Sequence, residues 1–352
     1  MTAGFRMPAE WEPHAATWLA WPHNESDWPG KGLMVEWVFV EMARLLHDRE
    51  RVRFIVANRV ERAACRRKLA REGVDLAQID FFVAETDRSW TRDFLPTFVV
   101  ARRRGVSAVK WQFNGWARYP DWQRDDRAGE GIAERHAKSV SRPSYIRRGK
   151  TARVVLEGGA IDVDGEGTLL ATEQCLLTGP RARNRALGRE GTESVFSDEL
   201  GVKKVLWLPA GIEGDDTSGH IDDFARFVGP GRVVLCQERN RQDPNHPILA
   251  RAASRLRGAP DAKGRKVEVV PLPMPEPVVF AGQRLPASYA NFYVANGVVL
   301  VPTFNDPNDA RALGILQEQF PKRQVVGVHC RDLVLGLGTL HCSTQQEPRA
   351  TT

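Results

Sequence analysis

Apolar residues recur three and four positions apart in five stretches of the chain: 59–74, 125–138, 189–201, 247–257 and 306–320. That spacing gathers the apolar side chains on one face, so each stretch is predicted to be an amphipathic helix. Each leads into a short apolar segment suited to a buried strand, at 81–84, 153–156, 204–208, 267–272 and 325–328. Polar residues then follow in turn: Asp93, Glu157, His220 with Asp222, Asn291, and Cys342. The first four open predicted β-hairpins with arms 94–101 and 107–113, 160–163 and 168–171, 223–228 and 232–236, and 292–295 and 298–302. Asn296-Gly297 is a strong tight-turn signal, and Gly165-Glu166-Gly167 and Pro230-Gly231 also suit turns.

After Cys342 too little chain remains for a hairpin. Near the other end, Thr17-Trp18-Leu19-Ala20-Trp21 reads as a buried strand. The two ends are therefore expected to pair and close a ring, with Trp18 in the same unit as the segment around Cys342. The polar motifs stand roughly 50 to 70 residues apart, a spacing that fits an array of supersecondary units. Identity between the units is negligible, so the pattern is one of order alone. The expectation is one domain, residues 1–352, of five repeated units with the polar motifs meeting at its centre.

Composition narrows the partners. Apolar residues make up 42% of the 352, enough for a packed core, and the net charge is +6. The basic clusters Arg102-Arg103-Arg104 and Arg147-Arg148-Gly149-Lys150 are short and read as solvated turns, with no RNA-binding motif beside them. No nucleic-acid partner is expected. Five scattered cysteines without a CxxC fit a reducing cytoplasm better than a disulfide framework. Residues 1–10 lack the apolar stretch of a signal peptide, and no apolar run is long enough to span a membrane. A soluble cytoplasmic protein is expected, with homo-oligomerisation left open.

The chemistry concentrates in a few residues. Cys342 follows the glycine-rich bend Gly336-Leu337-Gly338, and His220 lies far upstream among carboxylates. A thiol with a distant histidine is the set needed for a nucleophile and its acid/base. Alone, Cys342 would read as a small buried hydrophobe and His220 as a core histidine. Asp93 could be only a turn former, and Glu157-Gly158-Gly159 only a bend, although its glycines would let a ligand approach the backbone. On a strand, His220 and Asp222 would share a face. The remaining cysteines Cys65, Cys175, Cys236 and Cys330 fall outside this constellation, with Cys175 and Cys236 read as packing residues. His329-Cys330 and His341-Cys342 raise the question of zinc, but adjacent strand residues face opposite sides and the familiar ligand spacings are absent. Gly336-Leu337-Gly338 lacks the helix and third glycine of a dinucleotide loop. No metal and no cofactor is expected.

At these residues the chain resembles the agmatine deiminase family, within the guanidino-modifying superfamily that includes the bacterial-type peptidylarginine deiminases. The resemblance begins at Met7-Pro8-Ala9-Glu10-Trp11-Glu12-Pro13-His14 and continues through Trp90-Thr91-Arg92-Asp93 and Leu156-Glu157-Gly158-Gly159. It resumes at Asp216-Thr217-Ser218-Gly219-His220-Ile221-Asp222, at Ala287-Ser288-Tyr289-Ala290-Asn291-Phe292-Tyr293, and at His341-Cys342-Ser343-Thr344-Gln345-Gln346. It implies a five-bladed α/β propeller and cofactor-free hydrolysis of a guanidinium to a ureido group and ammonia. It also implies Cys342 as nucleophile, His220 as acid/base, and Asp93, Glu157 and Asp222 as guanidinium ligands. Trp90, Asp216 and Asn291 match pocket positions. Leu337 and Thr339 depart from the family's usual glycine and asparagine, and Asp216 and Asp223 stand where Glu and Asn are common.

The three acids suit a permanently charged, planar guanidinium, which carboxylates grip in bidentate fashion. Agmatine is the expected substrate, a small cation. Arginine and peptidylarginine are rivals within the same chemistry, and amidino transfer to an amine or binding without turnover are rivals outside it.

Overall fold

The structure is a computed structural model and describes residues 4–102 and 104–350. Arg103 of the first basic cluster and residues 1–3 of the N-terminal stretch lie outside the described residues. The fold is mixed α/β, and among the described residues five sheets share one plan. Two antiparallel strands are followed by a helix, which returns the chain to a third strand parallel to the second. In the first such sheet the strands are Thr97–Ala101, Gly105–Val109 and Val140–Ser141, with the helix Gln123–His136 between the last two. The next joins Ile161–Val163, Thr168–Thr172 and Lys204–Leu208 through the helix Gly188–Leu200. Then come Ala225–Gly229, Arg232–Gln237 and Glu268–Pro273 around the helix Asn245–Leu256. Tyr293–Ala295, Val298–Thr303 and Gln324–His329 follow, around the helix Asp309–Gln319.

The last sheet joins the two ends of the chain. His14–Ala20 pairs antiparallel with Gln345–Pro348, with Trp18 opposite Gln345, and parallel with Arg51–Val56, which pairs in turn with Ile79–Val83. The expected closure is present in this form. Trp18 Nε1 donates to Glu347 at 3.0 Å, and the Arg53 guanidinium also pairs with Glu347.

The five predicted helices form, each within a few residues of its expected bounds, counting Arg59–Arg71. Asn58 caps that helix by accepting from the backbone N–H groups of Val60 and Glu61. Gly201 ends Gly188–Leu200 in a left-handed conformation at φ 70°. The helix Gly32–Leu46 was not anticipated. It buries Val35, Val38, Phe39, Met42 and Leu46, but Leu33, Met34 and Trp37 on its outer side are exposed and blur the amphipathic contrast.

One expected strand is displaced. Residues 150–153 form a peripheral hairpin with Ser144–Arg147, their charged side chains largely outside, and the chain runs on through buried Val154 and Leu156 with a single bridge from Gln112 to the half-buried Val155. The third-strand position beside Gly105–Val109 goes to Val140–Ser141 instead.

Each polar motif precedes the first strand of a sheet. Asp93 lies in the short helix Thr91–Phe94, ahead of Thr97–Ala101, and Glu157 precedes the turn Gly158–Ala160. His220 and Asp222 belong to the turn at Ile221–Asp223, while Asn291 and Cys342 precede Tyr293–Ala295 and Gln345–Pro348. Five equivalent strand entrances thus deliver the polar side chains to one end of the sheets.

Candidate active site

The nucleophile candidate sits in a crowded bend. A Cβ on Gly336 would come within 2.6 Å of the Trp90 ring and 2.7 Å of Trp28 Nε1. A Cβ on Gly338 would meet Trp90 at 2.9 Å and Cys342 Cβ at 3.0 Å, so both positions require glycine on space alone. Leu337 between them adopts φ 68°, a left-handed conformation unfavourable for leucine. Thr339 Oγ1 donates to Asn291 Oδ1 at 2.8 Å, and the Cys342 N–H reaches the same oxygen at 3.3 Å. With its oxygen committed, Asn291 points its Nδ2 at Cys342 Sγ, 3.2 Å away. The thiol is buried and lies 3.6 Å from Asp222 Oδ2. Burial and then the charges of Asp222, Asp223 and Asp93 push its pKa well up, outweighing the Asn291 hydrogen bond.

Around Gly159 the acids and the histidine converge. A Cβ there would lie 2.6 Å from His220 Nδ1, 3.0 Å from Asp93 Oδ1 and 3.1 Å from Asp222 Oδ1. Asp93 accepts from Trp116 Nε1 at 2.7 Å and from the Gly159 N–H at 3.0 Å. Burial, with the charges of Asp222 and Glu157, raises the Asp93 pKa to about 6 against the opposing pull of His220 and the Trp116 hydrogen bond. His220 is 1% exposed, with Nδ1 3.8 Å from Asp93 and Nε2 3.7 Å from Glu157, and neither ring nitrogen has a hydrogen-bond partner of good geometry. Burial opposes a charge on this ring, but Asp93, Cys175 and Glu157 outweigh it and hold its pKa well above the ordinary value. A fully buried histidine with free nitrogens among carboxylates is poised to give up a proton.

Glu157 has a different first partner from the one its expected role implies. Both of its oxygens accept from Arg183 Nε, at 2.9 and 3.1 Å. Burial would raise its pKa, but Arg183 and His220 bring it down to about 2, so it stays ionised behind His220. Asp222 uses Oδ2 on His341 Nδ1 at 2.6 Å, leaving Oδ1 buried and without a partner. Burial raises the Asp222 pKa, while His341, His220 and Arg226 carry it below the usual carboxylate range.

A cavity of about 210 Å³ opens over Cys342 and Asp93. Trp90, Trp116 and Tyr119 supply aromatic walls, with Asp216 and Arg88 beside them. Tyr119 donates to Asp216 at 2.5 Å, and Trp90 Nε1 donates to Asp27 at 3.2 Å. Arg88 stacks over Tyr119 at 4.4 Å and is paired with Asp27 and Asp121.

The expected residues therefore fall in four places. Cys342, Asp93, Trp90 and Asp216 line the cavity, and His220 and Asp222 meet Asp93 beneath it. Asn291 touches the sulfur, whereas Glu157 stands behind His220. The strand-face reason for pairing His220 with Asp222 fails, because both lie in a turn rather than on a strand. Cys175 packs in a buried apolar cluster as expected, and its thiol also lies with His220 and Glu157 within 4.8 Å of one another. Asp222, Asp223 and Cys342 form a second set of that size. Both sets have the donor types for a soft cation, but Arg183 already occupies Glu157 and would oppose one there. Arg183 escaped the sequence reading because 181–185 resembles a solvated basic run; a buried glutamate's need for a counter-charge was the available signal.

Known proteins are similar to this chain along nearly its whole length. Residues 6–348 match the family model of Porphyromonas-type peptidyl-arginine deiminases. The agmatine deiminase of Ectopseudomonas mendocina is 39% identical, over 98% of this chain and 96% of that one. The solved agmatine deiminase of Enterococcus faecalis has a TM-score of 0.88 at 34% identity, covering 98% and 96% of the two chains. A substrate-bound agmatine deiminase of C. jejuni has a TM-score of 0.84 at 25% identity, covering 99% and 97%.

Proposed function

The chain belongs to the Porphyromonas-type peptidyl-arginine deiminase family, and on that premise we propose that it hydrolyses agmatine to N-carbamoylputrescine and ammonia. The observation that carries this reading is the meeting of Cys342 Sγ, the carboxylates of Asp93 and Asp222, and His220 at one buried spot below an aromatic cavity. Asp93 and Asp222 grip the guanidinium N–H groups and fix its carbon beside the sulfur. The incoming cation offsets the acids that hold the thiol protonated, so binding itself favours the thiolate. Sγ then bonds to the central carbon, His220 passes its proton to the departing nitrogen, and ammonia leaves an S-alkylthiouronium. His220 next takes a proton from water, whose oxygen bonds to the same carbon. The C–S bond breaks with its electrons returning to sulfur, and the ureido product departs.

In this scheme Glu157 keeps His220 in place and cationic, with Arg183 fixing Glu157. Asp216 and Tyr119 face the substrate's distal amine, and Trp90 packs along its methylene chain. A second reading, arginine or a peptidylarginine, is favoured by Arg88 in the cavity wall, a cation that could meet a carboxylate or carbonyl. Asp27 and Asp121 already engage it, which supports agmatine. Amidino transfer is the further alternative, and it requires an amine acceptor. A turnover screen of agmatine, arginine and a peptidylarginine without an acceptor, reading ammonia and ureido product together, tests the proposal. Agmatine should give both at the highest kcat/KM; turnover only with an added amine would overturn it.

We also infer a single catalytic domain over 1–352, built as a five-bladed α/β propeller. The five repeated sheets and the end-to-end pairing of His14–Ala20 with Gln345–Pro348 support this. Among the described residues the five cysteines are free, which supports a reducing cytoplasm. No helix is long and apolar enough to cross a membrane. The partner is a small guanidino cation, with no role for nucleic acid.

A further inference from the structure

The residue before the nucleophile has no part in the scheme above, yet both of its ring nitrogens are held by short contacts. His341 is buried, with Nδ1 2.6 Å from Asp222 Oδ2 and Nε2 2.8 Å from Glu10 Oε2. A neutral imidazole has one N–H and one lone pair, so it would turn a lone pair toward one of these oxygens. Two short contacts to two ionised carboxylates are best met with both nitrogens donating. Glu10 is fixed in its turn by Arg226 at 3.0 Å, by Arg92 at 3.1 Å and by the Val294 N–H at 2.8 Å. Beyond Arg226 lies Asp162, 3.2 Å from its Nε.

We propose that His341 is a positioning residue for the guanidinium clamp, held between Glu10 and Asp222 so that Asp222 keeps its charge and presents Oδ1 to the substrate. Three observations support it. Asp222 divides its oxygens: Oδ2 is taken by His341, while Oδ1 is buried, unpartnered and aimed at the spot where Asp93 and His220 meet. Asp222 also lies among like charges, with Asp223 and Asp93 nearby, and those would drive it to take up a proton without a cation at its back. Finally, Glu10 precedes the strand His14–Ala20, so the bridge ties the clamp to the N-terminal strand that closes the last sheet. The proposal rests on the guanidinium reading of Asp222.

The test compares two alkylating reagents of equal shape, 2-chloroacetamidine and 2-chloroacetamide, one cationic and one neutral. The rate of modification of Cys342 is followed by peptide mass spectrometry. The native protein should prefer the amidine. His341→Gln should lower that preference about tenfold or more and raise KM for the guanidine substrate, with little change in the rate toward the neutral amide. Glu10→Gln, nearly isosteric and two bonds removed from Asp222, should move both readouts in the same direction by less, and it serves if His341→Gln does not fold. An unchanged amidine preference in a folded variant overturns the proposal alone, as does an equal loss toward both reagents, which marks a purely structural role. A native protein with no amidine preference overturns the guanidinium reading and this proposal together.

Discussion

Asp93 shows how the site and the stability of the fold pull against each other. Its carboxyl is fully buried, and its pKa is raised to about 6 from an ordinary 3.8, so the folded protein binds the proton more tightly than the unfolded chain does. The resulting stability is present below pH 4 and is lost as pH rises through 6. Asp93→Asn removes this dependence while nearly keeping the shape. Relative to the native protein, its melting temperature should therefore rise as the pH is taken from 4 to 7, while kcat/KM falls more than tenfold. Melting scans at both pH values with steady-state kinetics check this; a fall in relative melting temperature at pH 7 would contradict it. Asp93, Asp222, His220 and Cys342 were all legible from residue type and motif. Arg183, Glu10 and the place of Cys175 beside His220 were not, because what singles them out is burial beside a particular partner, and burial of a polar group is invisible in a chain that spreads its charges widely.

At the scale of turns and strands, the repeated order of helix, strand and polar motif could be read because periodicity survives where residue identity does not. The hairpin 144–153 could not, since a charged strand at the edge of the fold carries no apolar signal. The turn after Glu157 is where local structure touches chemistry most closely. The sequence presents Gly158-Gly159 as room for a ligand, whereas the structure shows that the glycines make room for the protein itself: Gly158 abuts the Arg92 carbonyl and Gly159 abuts His220, Asp93 and Asp222. Gly159→Ala should therefore displace His220 or Asp93 and lower kcat by about a hundredfold, while the backbone φ/ψ stays accessible to alanine and the protein stays folded. Circular dichroism with single-turnover kinetics would check it, and near-native kcat would show that the cluster tolerates the shift.

Across the whole molecule, the candidate site is built with segments from both ends of the chain. Trp18 is about 1% exposed and donates to Glu347 two positions beyond its own strand partner Gln345, so it both packs the core and fastens the closing strand. Trp18→Ala should cost about 3–5 kcal/mol in denaturant unfolding, and it should slow turnover as well, because the strand it fastens begins three residues after Cys342. Five distant segments come together around one thiol, and on the proposed mechanism that thiol alone forms a covalent bond with substrate. Cys65, Cys236 and Cys330 are buried in packed surroundings that push their thiol pKa values up, and Cys175 lies behind His220, outside the cavity lining. Only Cys342 faces both the cavity and the acids. The decisive measurement is acid quenching during agmatine turnover, followed by peptide mass spectrometry of all five cysteines. The account predicts a thiouronium adduct on the peptide carrying Cys342, absent in Cys342→Ser, which should bind agmatine without turning it over. An adduct on another cysteine, or full activity in Cys342→Ser, would contradict it.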